Sequence, residues 1–264
     1  MTIVQHMPEH EYRAAPGVNI SRLKLIDISP LAFRRCSPKS KTFALGKAAH
    51  AAILEPESFN ARYTVLPAQF KMRSGAAYTE WAEADGREVL LRSEYDVALA
   101  VSESAQRSKS VRRHLEFADT EISVFTAIRG VPVKARLDWA GPHGLGDLKT
   151  VADMNMSKFF RQCVALNYLA HFAFYSDAYR ASTGEECPWS SIVAEKSEPY
   201  DMAVVRFTSV DLEQGRKTYN AWLDKYIECM SRDVWPGVSG ESDEEIQFEM
   251  PIWAVDDAIE GGEE

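Results

Sequence analysis

The sequence predicts an α/β fold in which helices flank a central mixed β-sheet. Alternating polar and apolar residues at 121–128 and 131–140, on either side of an Arg129-Gly130 turn, predict a β-hairpin. The same alternation predicts a third short strand around Asp147, which extends the hairpin into a three-stranded meander. Helical periodicity before and after these strands indicates that sheet and helices share one core.

The remaining elements follow from periodicity and from helix stop signals. A compact Ala-rich helix is predicted at 43–54, ending at Glu55-Pro56, and one long helix at 156–183, ending at Gly184. The other predicted elements are short helices from 19 and from 30, helix across most of 76–117 with a break near 85–86, strands at 189–196 and 202–208, and a helix at 210–231.

The length of 264 residues and the 45% content of hydrophobic residues suffice for one large domain with its own core. We expect residues 1–18 to form a flexible N-terminus, 19–237 to form the folded domain and 238–264 to form an acidic tail. Because no apolar run approaches the length of a membrane span and residues 1–16 are polar, we expect a cytoplasmic protein with no membrane partner.

The net charge of −9 argues at first against a nucleic-acid partner, but its distribution is uneven. Residues 241–264 contain ten Asp or Glu and no Lys or Arg, which leaves 29 acidic against 30 basic residues elsewhere. Basic stretches at 34–47 and 107–113 lie in this nearly neutral body. Since a neutral body with a basic channel can hold phosphates, charge neither requires nor excludes DNA.

Two acidic residues and one lysine dominate the predicted meander. Asp138 lies on the second hairpin strand, and Asp147 and Lys149 lie two residues apart on the next strand, hence on one face. If these strands pair, the two carboxylates meet beside the ammonium group of Lys149. Neighbouring carboxylates repel each other, and a hard divalent cation relieves that repulsion. An isolated Asp-x-Lys is more often a surface salt bridge, so the surrounding residues decide between the two interpretations.

The helix after the third strand supplies that context. Tyr168, His171 and Tyr175 lie at positions i, i+3 and i+7 and therefore share one helix face. Hydrolysis of a phosphodiester with metal assistance needs carboxylates that hold the ion and a cation that orients water or offsets developing charge. The meander and this helix together can supply such a set, although the two tyrosines could equally be core aromatics.

The same residues, taken in order, carry a family resemblance. The ordered set is Gly46-x-x-x-His50, Glu121, Asp138, Asp147-Leu148-Lys149-Thr150 and Tyr168-x-x-His171-x-x-x-Tyr175. It resembles the PD-(D/E)xK nuclease superfamily, and within it the exodeoxyribonuclease VIII (RecE-like) group of phage and prophage recombination nucleases. The chain is more distantly similar to lambda exonuclease. The likeness covers most of residues 19–237, and it implies a restriction-endonuclease-like core and a nuclease domain there.

The resemblance also implies a set of metal ligands. They are His50, Glu121, Asp138, Asp147 and the carbonyl oxygen of Leu148, with Glu121 acting toward a second metal or its water. From the sequence alone, Glu121 could equally be an exposed strand residue. A histidine on an Ala-rich helix is more often a buried, hydrogen-bonded core residue.

Further roles follow from the same resemblance. Lys149 would position the attacking water, and the helix residues Tyr168, His171 and Tyr175 would complete the catalytic set with Glu121, Asp138 and Asp147. His171 stands where the group usually has Gln; it can still donate a hydrogen bond to phosphate, but its charge is expected to vary with pH. The candidate contacts to the DNA backbone are Arg34, Arg35, Lys41 and Arg136, although such basic residues are more often only solvated.

The implied activity is Mg²⁺-dependent digestion of the 5′-ended strand of linear double-stranded DNA, with Mn²⁺ able to replace Mg²⁺. The exposed 3′ single strand would pass to a recombinase or single-strand annealing protein. The resemblance also implies a ring-shaped homo-oligomer and a phage or prophage protein in a bacterial host cell. A structure-specific or restriction-like endonuclease and a catalytically inactive DNA-binding relative remain alternatives. We expect no iron–sulfur cluster, because Cys36, Cys163, Cys187 and Cys229 are too dispersed to bind one.

Overall fold

The computed structural model describes residues 1–38, 44–242 and 244–249. Its strands are β1 (Thr2–Gln5), β2 (Tyr63–Val65), β3 (Glu88–Leu90), β4 (Asp119–Ile128), β5 (Val131–Gly141), β6 (Gly144–Val151), β7 (Trp189–Glu195) and β8 (Met202–Phe207). Its helices are α1 (Glu9–Ala14), α2 (Ile20–Leu23), α3 (Leu25–Ile28), α4 (Pro30–Arg35), α5 (Ala44–Leu54), α6 (Phe59–Arg62), α7 (Ala76–Asp85), α8 (Arg92–Arg107), α9 (Lys109–Leu115), α10 (Met156–Ala165), α11 (Tyr168–Thr183) and α12 (Ser209–Arg232).

Six strands form the central sheet in the order β1-β4-β5-β6-β7-β8. Every neighbouring pair is antiparallel except β6 and β7, which run parallel and are joined by the α10–α11 crossover. Helices α11 and α12 pack with α2 and α3 around one large core, and α5, α8 and α9 enclose a second one. The predicted mixed sheet with flanking helices is therefore confirmed.

The predicted hairpin forms β4 and β5. Ile128 pairs with Val131, and the two turn residues Arg129 and Gly130 have φ angles of 51° and 79°, as a two-residue turn of the mirror-image type requires. On the other side of β5, strand β6 pairs through Trp139 and Gly146. The three-stranded meander thus brings the residues of 119–151 next to one another.

Gly146 makes room for the indole of Trp139 directly before Asp147. A Cβ atom at residue 146 would lie 1.8 Å from Trp139 Cζ2 and 2.4 Å from the carbonyl oxygen of Ser190. Trp139 is fully buried, so its ring could not move aside to accept a side chain there. This close approach fixes the start of the segment that carries Asp147 and Lys149.

The single helix predicted at 156–183 is wrong, because the structure contains α10 and α11 in its place. The break lies at Asn167, whose φ of 56° and ψ of 39° put it in the left-handed region that Asn tolerates better than most residues. The change of direction lets Phe159 and Cys163 of α10 pack against Val193 of β7, while α11 packs against β4 and β5.

The N-terminal residues, expected to be flexible, form β1 and α1. Strand β1 pairs antiparallel with β4, with Thr2 opposite Phe125. The ammonium group of Lys134 donates hydrogen bonds to the carbonyl oxygens of Tyr12, Arg13 and Ala15, at 2.8, 2.9 and 2.6 Å. A buried cation at the C-terminal end of α1 therefore anchors this segment, and nothing local in its polar sequence reveals that partner.

Two smaller features also differ from the sequence prediction. Residues 57–75 were expected to be irregular, yet they contain α6 and β2, and β2 pairs in parallel with β3 inside the region predicted to be mostly helical. The predicted break near Asp85-Gly86 is present, since Gly86 ends α7 with a φ of 74°. In the part of the chain that the structure describes, no helix is long and apolar enough to cross a membrane.

Candidate active site

A histidine and two carboxylates from three different elements converge at one side of the sheet. His50 Nε2 lies 2.9 Å from Asp138 Oδ2, and His50 Nδ1 lies 3.4 Å from Glu121 Oε1. One ligand atom from each of the three residues can be chosen so that all lie within 4.8 Å of one another. All three residues are partly buried, so the group lies in a recess and not on an open surface. We refer to His50, Glu121 and Asp138 as the acidic cluster.

The local sequence explains this convergence. Residues Thr120 and Ile122 pair with Trp139 and Leu137, so Glu121 and Asp138 occupy facing positions on β4 and β5. Glu121 has a φ of 51°, an uncommon conformation for a residue inside a strand. Helix α5 approaches because its buried face consists largely of alanines, and Gly46, one turn before His50, faces β6 without any closer contact. A Cβ atom at Gly46 would be 3.7 Å from Thr150 Oγ1 on β6.

Asp147 and Lys149 lie beside the acidic cluster on β6. The ammonium nitrogen of Lys149 is 2.6 Å from Asp147 Oδ1 and donates a hydrogen bond to Oδ2 at 2.8 Å. Between them, the backbone N–H of Leu148 donates to Asp138 Oδ2 at 2.5 Å. This bond ties β6 to the carboxylate on β5 and brings the lysine to the same recess. The role implied for the Leu148 carbonyl as a ligand stays a prediction.

The charges in the acidic cluster stabilise one another. Burial opposes protonation of His50, but Asp138 and Glu121 outweigh it and raise the pKa of His50 to about 10. Burial also opposes ionisation of Asp138 and Glu121, yet contact with His50 holds both pKa values below their usual range. In the metal-free protein a positive imidazolium therefore lies between the two carboxylates.

The pKa of Asp147 shifts in the opposite direction from those of Asp138 and Glu121. Burial and the neighbouring charge of Asp138 raise the pKa of Asp147 to about 6, although Lys149 opposes the change. Lys149 is partly buried, which disfavours its charge, but Asp147 and Asp138 outweigh this and raise the pKa of its ammonium group, which stays charged. Asp147 Oδ1 is buried and accepts no hydrogen bond of good geometry. An oxygen in this state is suited to a cation that replaces or joins the lysine contact.

Helix α11 forms the wall of the recess nearest to Lys149. The Lys149 ammonium group lies 4.8 Å from the centre of the Tyr168 ring, and the His171 ring packs between Tyr168 and Tyr175. Burial, together with the charges of Lys149 and Lys24, lowers the pKa of His171 to about 3. His171 is therefore neutral at physiological pH, in contrast to the pH-dependent charge expected from its sequence position. Its Nε2 atom is buried without a hydrogen-bond partner.

The structure separates the basic residues that were expected to contact DNA. Arg136 borders the acidic cluster, since its Nε donates to Glu121 Oε2 at 2.7 Å. Arg34 pairs with Asp233 at 3.0 Å and lies over the ring of Trp235, beyond the end of α12. Arg35 is exposed on the same short helix α4. Lys41 lies outside the described residues.

Sequence reasoning missed two polar groups near these elements. Lys47 lies on α5 three residues before His50, a spacing that puts both on one helix face, and its ammonium group is 3.7 Å from Glu9 Oε2. Glu195, buried at the end of β7, accepts hydrogen bonds from the backbone N–H groups of Met154 and Asp201 and so fixes the loop after β6. The helical spacing could have revealed Lys47, whereas no local signal points to the partners of Glu195.

A protein-family model identifies the family of the chain. The model of a family described as a PDDEXK-like domain of unknown function (DUF3799) matches residues 32–247. The chain belongs to this PDDEXK-like family. The fold of this PDDEXK-like protein is also similar to a crystal structure from Eubacterium rectale that is described, by inference, as an exonuclease. The TM-score is 0.62 at 13% identity, over 96% of this chain and 98% of the other. No curated protein sequence matches the chain significantly.

Membership of this PDDEXK-like family supports a nuclease activity and a divalent metal, because PDDEXK nucleases use such ions. The donor set of the recess fits a divalent cation on chemical grounds. Carboxylate oxygens are the ligands that Mg²⁺ and Mn²⁺ prefer, and the imidazole nitrogen adds a donor that suits transition-metal ions better. Asp147 Oδ1, which is 2.6 Å from the Lys149 ammonium nitrogen, accepts no hydrogen bond of good geometry. His50, Glu121 and Asp138 offer ligand atoms within 4.8 Å of one another and would hold the ion, and Asp147 lies beside them.

Proposed function

We propose that this protein is a Mg²⁺-dependent exonuclease that digests linear double-stranded DNA from its ends. The observation that supports this most strongly is the convergence of His50, Glu121 and Asp138 beside the Asp147–Lys149 pair. Five ionisable groups that repel or neutralise one another in a partly buried recess are costly for stability. Such an arrangement is expected where it serves catalysis, and the family membership of the chain points to phosphodiester hydrolysis.

The residues of the recess divide the chemical work. A bound divalent ion would polarise the phosphate and lower the pKa of the attacking water. The carboxylates of Asp138 and Asp147 and the imidazole of His50 would hold it, which requires His50 to give up its proton. Lys149, kept charged by Asp147, would orient the water and offset the negative charge that grows on the phosphate oxygens. Tyr168 limits the movement of the Lys149 ammonium group through their ring contact.

The finer part of the proposal follows the resemblance to the exodeoxyribonuclease VIII group. We propose that the 5′-ended strand is degraded, that Mn²⁺ can replace Mg²⁺, and that the remaining 3′ strand serves recombination through an annealing protein or recombinase. A homo-oligomeric ring and a role in the cytoplasm of a bacterial cell, as part of a phage or prophage, belong to the same proposal. The family match and the polar recess support a nuclease and leave these points to experiment.

The deciding experiment compares two DNA substrates of the same sequence. Linear duplex labelled at either the 5′ or the 3′ end and covalently closed circular duplex are incubated with the protein and Mg²⁺. An exonuclease of the proposed polarity releases the 5′ label first and leaves the closed circle intact. Asp147→Asn should abolish the reaction, and Asp153→Asn, an exposed aspartate two residues beyond the end of β6, should not change it.

Other outcomes identify the alternatives. Linearisation of the closed circle would favour a structure-specific or restriction-like endonuclease. Binding of linear DNA without any cleavage, together with no heat of Mg²⁺ or Mn²⁺ binding in calorimetry, would show an inactive DNA-binding relative. Full activity in the Asp147→Asn variant would disprove the assignment of the site.

A further inference from the structure

Three cationic side chains surround a single carboxylate at the edge of the recess. Arg13 forms an ion pair with Glu9 one helical turn before it, and Lys47 Nζ lies 3.7 Å from Glu9 Oε2. Arg136 lies under the same helix, with its guanidinium 5.7 Å from the centre of the Tyr12 ring. Although burial alone would raise it, the pKa of Glu9 is lowered by these three cations together. We refer to Arg13, Lys47 and Arg136 as the cation trio.

The cation trio borders the acidic cluster on two sides. Lys47 is on the helix face of His50, and Arg136 is two residues before Asp138 on the same face of β5. Arg136 also donates to Glu121 at 2.7 Å. A phosphodiester placed on metal ions at the acidic cluster would therefore bring a neighbouring backbone phosphate close to these cations, because successive phosphates are only a few ångströms apart along a strand.

Arg136 has hydrogen-bonding capacity that the protein leaves unused. Its Nε is satisfied by Glu121, but its Nη1 atom is buried and has no hydrogen-bond partner. A buried donor without a partner is unfavourable, and a charged one more so. The planar guanidinium suits a phosphate, whose oxygens can accept several N–H bonds at once. A phosphate that takes the place of Glu9 would approach Arg136 and supply the partner that Nη1 lacks.

We infer that the cation trio is a subsite for one backbone phosphate of the DNA, next to the metal site, and that Glu9 fills it while DNA is absent. The inference deepens the proposed function and rests on it. Binding of DNA then requires the Glu9 carboxylate to swing away from Arg13 and Lys47. Helix α1 itself stays in place, because Lys134 holds its C-terminal end through three carbonyl oxygens. Glu9 thus competes with the phosphate for the same cations.

The inference predicts opposite effects of substitutions at two residues that contact each other. DNA affinity is measured by fluorescence anisotropy with a short linear duplex, with Ca²⁺ in place of Mg²⁺ to prevent cleavage. Glu9→Gln should tighten binding about threefold to fivefold, since it removes a competing partner of an exposed ion pair. Lys47→Gln should weaken binding and reduce the slope of log affinity against log salt by about one. The matched control is Glu11→Gln, an exposed acid on the same helix.

The results separate this subsite from the proposed function. If Glu9→Gln binds DNA no more tightly than the wild type, the subsite is wrong while a DNA-binding nuclease remains. If Glu11→Gln tightens binding as much as Glu9→Gln, the effect is one of net charge, and the subsite is again wrong. If the folded wild type binds no DNA in Ca²⁺, both the subsite and the proposed function fail. Thermal unfolding of each variant verifies that all are compared in the folded state.

Discussion

His50 Nε2 lies 2.9 Å from Asp138 Oδ2, although 88 residues separate the helix and the strand that carry them. This contact joins α5 to the central sheet at the point where Glu121 and the Asp147–Lys149 pair also lie. It places a nitrogen donor among oxygen donors, and it makes the charge of each group depend on the others.

A divalent metal should stabilise the protein against heat through the acidic cluster. The ion takes the place of the His50 proton between the two carboxylates of the folded state, and at 100 times its apparent dissociation constant it adds about 2.7 kcal/mol of stability. For a chain of this size the expected rise in melting temperature is roughly 5–10 °C. Differential scanning fluorimetry with Mn²⁺ and Ca²⁺ measures it.

The rise in melting temperature on adding metal should disappear in Asp138→Asn, because this change removes a charged ligand and the partner of His50. Asp153→Asn keeps the recess intact and should show the wild-type shift. A shift of equal size in Asp138→Asn would mean that the metal binds elsewhere.

Lys149→Gln should reduce the rate of DNA cleavage by about 100- to 1,000-fold, the usual loss when one donor that stabilises developing charge is removed. The affinity for metal should not fall, since Lys149 is not a ligand and its positive charge competes with the cation for Asp147. Single-turnover cleavage and calorimetric metal titration measure the two effects separately. Lys158→Gln serves as the control, because Lys158 is an exposed lysine that pairs with Asp153. Equal rates for Lys149→Gln and the wild type would rule out a catalytic role.

His171 should make the fold sensitive to acid. Its pKa is about 3 in the folded protein against 6.5 for the unperturbed side chain, so below pH 6.5 the unfolded chain binds a proton that the folded chain does not. Stability is therefore lost as the pH falls from 6.5 toward 3. At one proton per molecule the loss is about 1.4 kcal/mol per pH unit, or roughly 2 kcal/mol at pH 5.

Urea unfolding of metal-free protein at pH 7.5 and pH 5 tests this contribution. His171→Gln should reduce the difference between the two free energies of unfolding by about 2 kcal/mol. His10→Gln, at an exposed position, should leave the difference unchanged. An unaltered pH dependence in His171→Gln would show that the buried imidazole is not the group responsible.

Asp177 should be important for stability and not for chemistry. Its buried carboxylate accepts from Arg216 Nε at 3.0 Å and from the Tyr219 hydroxyl at 2.5 Å, which ties α11 to α12. Asp177→Ala would leave the partly buried Arg216 and the hydroxyl of Tyr219 without this partner, at a cost of about 3–5 kcal/mol. Urea unfolding measures the loss. The rate of cleavage per folded molecule should stay within a factor of two or so of the wild type; a large rate loss at full stability would contradict this view.

The sequence predicts the meander and its charged residues well because both depend on local rules. Alternation along β5 and β6 places Asp138 and Asp147 on one face, and the Arg129-Gly130 turn sets the register of the hairpin. The break at Asn167 could not be predicted in the same way. The helical periodicity continues across it, and only the packing of α10 on β7 and of α11 on β4 shows that the helix must turn.

Contacts between distant residues were the least predictable. Lys134 alternates with Arg136 and Asp138 and was therefore expected on the polar face of the hairpin. The structure buries its ammonium group under α1, more than 110 residues earlier in the chain. Strand β1 is likewise held by pairing with β4, which lies more than 110 residues later in the chain. Since the polar sequence of the N-terminus carries no sign of this partner, it suggested a flexible segment. The spacing of residues in the sequence could not show that His50 lies next to Asp138 and Glu121, and only the family resemblance suggested it.

The parallel pairing of β6 with β7 has a consequence for synthesis of the protein. A chain still being translated can carry every acidic residue of the recess and Lys149 once residue 149 has left the ribosome. At that stage β6 still lacks its neighbour on one side, because β7 begins only at Trp189, and α11 has not yet closed over the lysine. We therefore expect the recess to be assembled only after most of the chain has been synthesised.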